Sequence, residues 1–107
     1  MASGKLGSAA LAADTYTTVY TVPAGKAATI NIALVNRGAD TALVRVALTN
    51  EAVTPLDEDF IEYDAKLPID GGILERTAVV ASAGEKIMVM ASTASVTVRV
   101  HGFEEDA

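Results

Sequence analysis

The chain has no cysteine and no tryptophan, and it has a single histidine. Without cysteine there is no disulfide framework, no iron–sulfur cluster, no thiolate zinc site and no cysteine nucleophile. One imidazole, His101, excludes a multi-histidine metal centre and leaves little from which to build a hydrolase triad. Long apolar runs are missing as well. None approaches the roughly 20 residues that a membrane-spanning helix needs. The opening MASGKLGSAALAAD carries one lysine and no continuous apolar block, so it does not read as a signal peptide. Basic residues are the minority, 8 against 14 acidic, for a net charge of −6. That balance argues against sequence-independent binding to nucleic acid or to an anionic membrane.

What is present suits a single small domain. The chain has 107 residues, half of them hydrophobic, which excludes a wholly disordered chain. A chain of this mass buries about 65% of its unfolded surface, enough for one core. Ala, Val and Thr dominate, and their opposed helix and strand preferences leave the fold undecided. Periodicity decides it.

In Lys26 to Asn36, the residues Ala28, Ile30, Ile32 and Leu34 fall on one side, with Thr29, Asn31, Ala33 and Val35 on the other. A helix would set Ile30 and Ile32 about 200° apart and destroy the stripe. The same rhythm places Val44, Val46 and Leu48 inward within Thr41 to Asn50, and Val96, Val98 and Val100 inward within Ser95 to Phe103. In Phe60 to Leu67 it turns Ile61, Tyr63, Ala65 and Leu67 inward. Turn phrases rich in Gly, Pro, Asn, Asp and Ser separate these runs. The reading is all-β: an antiparallel β-sandwich, jelly-roll-like or Ig-like, of about seven to eight strands with an extended N-terminal arm. Residues 1–13 form the arm, 14–103 the sandwich and 104–107 an acidic tail. The long connection from Glu51 to Asp59 is expected to cross between sheets.

Lys86 to Ser92 is apolar on both sides, with Ile87 and Val89 opposed to Met88 and Met90. Its second face meets either the rest of a tightly packed monomer or another subunit. The arm, too apolar for a plain linker, is expected to lie across a neighbour with Leu6 and Leu11 in shallow pockets. Tyr16 and Tyr20 share one face of the first strand by alternation. The candidate assembly contacts are therefore Leu6, Leu11, Tyr16, Tyr20, Met88 and Met90.

Candidate chemistry is thin. Asp57, Glu58, Asp59, Glu62 and Asp64 form the one dense group of like side chains, but their spacing matches no known calcium loop. They read as a solvated loop and strand face. His101 stands beside Arg99 on a polar strand face, no serine sits in a G-x-S-x-G setting, and Gly71-Gly72 precedes a strand and not a helix. The expectation is no enzyme, no catalytic residue, no metal and no cofactor.

The turn phrases carry a resemblance. Leu6-Gly-Ser-Ala-Ala, then Thr17-Thr-Val-Tyr-Thr-Val-Pro-Ala-Gly-Lys and Asn36-Arg-Gly, resemble the opening of small tailed-bacteriophage virion structural proteins. Ile61-Glu-Tyr-Asp, Gly72-Ile-Leu-Glu-Arg-Thr, Ala83-Gly-Glu-Lys and Val98-Arg-Val-His-Gly-Phe-Glu fit the same group. The resemblance implies a capsid decoration (cement) protein, made in the host cytoplasm and placed on the outer surface of the virion capsid. Its partners would be the major capsid protein and itself, as a homotrimer, with no nucleic acid and no membrane. The same motifs occur in tail- or fibre-associated modules. A reading of another class is a non-viral carbohydrate-binding sandwich. It would need exposed aromatics, and Phe60, Phe103, Tyr16, Tyr20 and Tyr63 are the available set, of which alternation assigns Tyr63 to the core.

Overall fold

Alternation at a period of two drives most of the chain into strands, and the computed structural model describes residues 3–107. The strands are β1 (Ser3–Ala10), β2 (Thr17–Thr21), β3 (Lys26–Asn36), β4 (Ala42–Thr49), β5 (Phe60–Leu67), β6 (Gly72–Ala81), β7 (Lys86–Ala91) and β8 (Val96–Asp106). They form two four-stranded antiparallel sheets, ordered β1-β8-β3-β6 and β2-β7-β4-β5. Sequence neighbours lie in opposite sheets except for β4 and β5, which is the strand order of a jelly roll. The connection over residues 50–59 therefore joins two paired strands of one sheet and does not cross, contrary to the sequence expectation. It holds a short 3₁₀ turn, Asp57–Asp59, packed against β4.

The core between the sheets is the alternating set. Ala28, Ile30, Ile32 and Leu34 of β3 meet Val44 and Val46 of β4, Ile87 and Val89 of β7, and Val96, Val98 and Val100 of β8. Burial of each aliphatic side chain is worth about 1.5–3 kcal/mol. Leu48 is partly buried and packs on this core as its parity requires.

Three expectations change. The first concerns the arm. Residues 3–10 are an edge strand of their own sheet, paired in antiparallel register with β8. Leu11 follows into the core at 2% exposure, held by its N–H to the Val96 carbonyl at 2.9 Å. Residues 1 and 2 of the expected arm lie outside the described residues. Gly7 makes the fit possible: any Cβ there would overlap the Val19 carbonyl oxygen of β2. The second concerns the acidic end. Glu104, Glu105 and Asp106, expected as a tail outside the sandwich, continue β8, and Asp106 accepts a hydrogen bond from Lys26 at 2.6 Å. The third concerns Tyr20. A register shift at Val19 breaks the alternation of β2 and turns Tyr20 into the core, where it is paired with Ile87, while Tyr16 stays outside.

Asn36, a turn residue by sequence, is fully buried. Its Nδ2 donates to the Asp40 and Leu67 carbonyls at 2.9 and 3.1 Å. Its Oδ1 accepts from Gly38 N and Ser95 Oγ at 2.9 and 3.0 Å. One amide thus ties together the end of β3, the turn after it, the end of β5 and the turn before β8.

Candidate functional site

Each sheet has an outward face, and the two faces differ in kind. On the first sheet the register sets side chains in rows. Thr97, Val35 and Ile73 form one row; Ser8, Arg99, Ala33 and Glu75 form the next. Lys5, His101 and Asn31 follow, and then Ser3, Phe103, Thr29 and Val80. Ala33, Val35, Ile73, Glu75, Thr97 and Arg99 line a shallow groove of about 330 Å³. Ile73 is 64% and Val80 69% exposed, and Phe103 is exposed in the same row as Val80. Apolar groups thus stand at both ends of the face, with a polar band of Lys5, Arg99, His101 and Glu75 between. A Cβ at Gly102, which has φ of 151°, would overlap the Thr29 carbonyl oxygen, so glycine keeps β8 tight against β3 next to Phe103.

The outward face of the second sheet is built differently. β5 carries two register shifts against β4: Val44 faces Ala65, Val46 faces Glu62, and Ala47 faces Phe60. Each shift adds a residue to β5 and resets its parity. Glu62 therefore turns inward at the edge, where it pairs with Arg76 of β6. Tyr63 turns outward with 59% exposure, against its sequence assignment to the core. Asp64 takes a left-handed backbone, φ 52°, which aspartate tolerates better than most residues.

These resets gather a cluster that simple alternation would have scattered. The Arg45 guanidinium lies over the Tyr63 ring, 4.0 Å from its centroid. Arg45 donates from Nε and Nη2 to the two Asp64 oxygens at 2.7 and 3.3 Å, and from Nη1 to the Tyr16 hydroxyl at 3.1 Å. Phe60 meets Tyr63 edge-on at 5.0 Å and Tyr16 at 6.2 Å. The hydrogen bonds from Arg45 hold the Asp64 carboxyl below its usual range. Met90 pairs with Arg45 in register, and Met88 pairs with Ala47 and Thr18.

The sequence-named contacts divide accordingly. Tyr16, Met88 and Met90 come together on the outward face of the second sheet. Met88 is 2% exposed there, so its second face is already covered within the chain. Leu11 and Tyr20 are core residues, and Leu6 packs partly against the core. The Tyr20 hydroxyl donates to Glu104 Oε2 at 2.6 Å. Burial first, and then this bond, push its ionisation well above the ordinary tyrosine value. The five carboxylates of residues 57–64 do not converge: Asp59 caps Leu56 N at 3.0 Å, Glu62 pairs with Arg76 and Asp64 with Arg45. Among the described residues no three His, Asp or Glu side chains form a group able to hold a metal ion.

The sequence singles out Phe60 only among the aromatics available to a carbohydrate-binding face, and it does not single out Arg45 as part of a site. Arg45 was read as one outward residue in an alternating strand, and no local motif marks it. Its role rests on the bulges of β5, a strand 15 or more residues further along the chain. Comparison of the chain with known protein families, with curated proteins and with solved structures returns no match.

Proposed function

We propose that this chain is a non-catalytic virion structural protein, a head decoration protein that docks on the outer surface of a bacteriophage capsid and joins neighbouring capsomers. The observation that carries the reading is the open face of the first sheet. Ile73 is exposed at the groove at one end of this face, and Val80 and Phe103 are exposed at the other end, where an isolated chain would gain by covering them. Aromatic and arginine side chains at such a face are those enriched in protein interfaces. The sequence resemblance set out above supplies the kind of assembly. Jelly rolls recur in viral capsid proteins, which supports the reading by analogy of fold alone.

Four strands of about 4.8 Å spacing and some 30 Å length present a projected area of about 600 Å², below the roughly 800 Å² per partner of a stable contact, so docking would also draw on the loops around the sheet. The net charge of −6 keeps the protein away from packaged DNA, which suits the outside of the shell.

Attachment to heads assembled without this protein tests the proposal. Ile73→Asp with Val80→Asp should lower occupancy at least about tenfold while the β-sheet circular dichroism stays unchanged. Full occupancy by the double variant would remove the first sheet as the docking face. Sedimentation of the free protein checks the trimer, which should appear as a single species of three chains.

A further inference from the structure

The outward face of the second sheet points away from the first, and its chemistry stands whatever the first sheet docks on. Three features set it apart from an ordinary solvated sheet face. The two bulges of β5 expose a large aromatic side chain, Tyr63, that regular alternation would bury. The bulge at Asp64 holds a non-glycine residue at positive φ, and bulges and left-handed residues cluster where a side chain must be re-aimed. The exposed ring is also packed in place: Arg45 lies over the ring, Phe60 meets it nearly at a right angle, and Asp64 and Tyr16 fix Arg45 in turn. With 59% of the residue exposed, much of Tyr63 remains open to solvent even beside Arg45 and Phe60. A ring immobilised before binding loses little freedom when a ligand stacks on it.

The polar groups beside the ring narrow the ligand. A guanidinium has five N–H groups, and Arg45 uses three of them, which leaves two donors. The Asp64 carboxylate has lone pairs beyond those it gives to Arg45, and the Tyr16 hydroxyl has its own proton to donate. An anionic ligand would meet Asp64 and the overall negative charge of the chain. A cationic ligand would meet Arg45 beneath the ring. A purely apolar ligand would strip water from an ion pair and return no hydrogen bond. A neutral ligand with an apolar C–H face and several hydroxyls that both donate and accept fits all of these groups together.

We infer that Tyr63, Asp64, Arg45 and Tyr16 form a binding site for a neutral carbohydrate, with a pyranose ring stacked on the exposed Tyr63 ring. The hydroxyl groups of the sugar take up the unused donors and acceptors of Arg45, Asp64 and Tyr16. The site is shallow, so a single sugar ring binds in the millimolar range. Repeated display of the site on an assembly raises the effective affinity without new contacts.

The test is an amide NMR titration of the full chain with neutral methyl glycosides of glucose, galactose and mannose, and with their neutral trisaccharides. A sialylated trisaccharide serves as the charged control. Saturable shifts at Tyr16, Arg45 and residues 60–64 with at least one neutral sugar are expected by about 20 mM. Tyr63→Ala should weaken that binding about tenfold or more, while Tyr63→Phe, which keeps the ring, should stay within about threefold of the parent. No saturable shift with any neutral sugar overturns the site. So does binding that survives Tyr63→Ala, or a preference for the sialylated control. None of these outcomes depends on capsid attachment, so the site and the docking face stand or fall separately.

Discussion

Asn36 and Tyr20 show how single polar groups are secured inside an apolar core. Asn36 has each of its amide atoms in two hydrogen bonds, all to groups shielded by the same turns. Asn36→Ala would leave two carbonyls, one N–H and one hydroxyl short of a partner. The expected cost is about 2–4 kcal/mol, read as a fall of the thermal midpoint on the order of 10 °C or more. Tyr20 makes a prediction about pH. Its ionisation in the folded chain lies above that of an unfolded tyrosine, first through burial and then through Glu104. The unfolded chain therefore loses the phenolic proton first as pH rises. The stability this gives is complete below about pH 10 and declines above it. Urea midpoints at neutral and strongly alkaline pH should show that decline in the parent and a smaller one in Tyr20→Phe.

At the scale of the element, β1 is the strand whose role departs furthest from a reading of local sequence. Its Gly, Ser and Ala content gives little propensity for any structure, and it is ordered by the backbone of β8 and by Leu11. Removing residues 1–13 should not leave the sandwich intact, because it uncovers the edge of β8 and empties the Leu11 site. Leu11→Ala alone should cost about 2–4 kcal/mol, measured by denaturant midpoint. A truncated chain as stable as the parent would return the segment to the status of a free arm. β7 behaves in the same way: Met88 is buried on the outward face, so Met88→Glu should lower folding stability sharply and not merely disperse oligomers.

The whole molecule is dominated by contacts between residues far apart in the chain, since β1 pairs with β8 and β3 with both β6 and β8. Loop closure must precede most of these pairings, so folding should be slow for a chain of this size, in milliseconds to seconds. Stopped-flow refolding followed by tyrosine fluorescence checks this, and a microsecond phase carrying the full amplitude would contradict it. The two outward faces divide the surface between a face with exposed apolar groups at both ends of a polar band and a self-paired aromatic and arginine face. The proposed docking belongs to the first and the proposed sugar site to the second, and the division arises from topology, not from composition.

Much of this was legible in the residues themselves. A period of two in Lys26 to Asn36 and in Ser95 to Phe103 specifies strands with one buried face, because side-chain direction along an extended backbone is fixed by stereochemistry. The inward sets Ile30, Ile32, Leu34 and Val96, Val98, Val100 follow from that alone, and so does the sandwich class. Tertiary structure decided the rest. Whether Ser3–Ala10 is an arm or a strand depends on an edge of β8 formed 90 residues later, which no local pattern records. The positions of Tyr20, Tyr63 and Asp64 depend on bulges, which insert one residue and invert every later parity. A bulge forms where two strands must fit each other, so its site is a property of the pair and not of either strand.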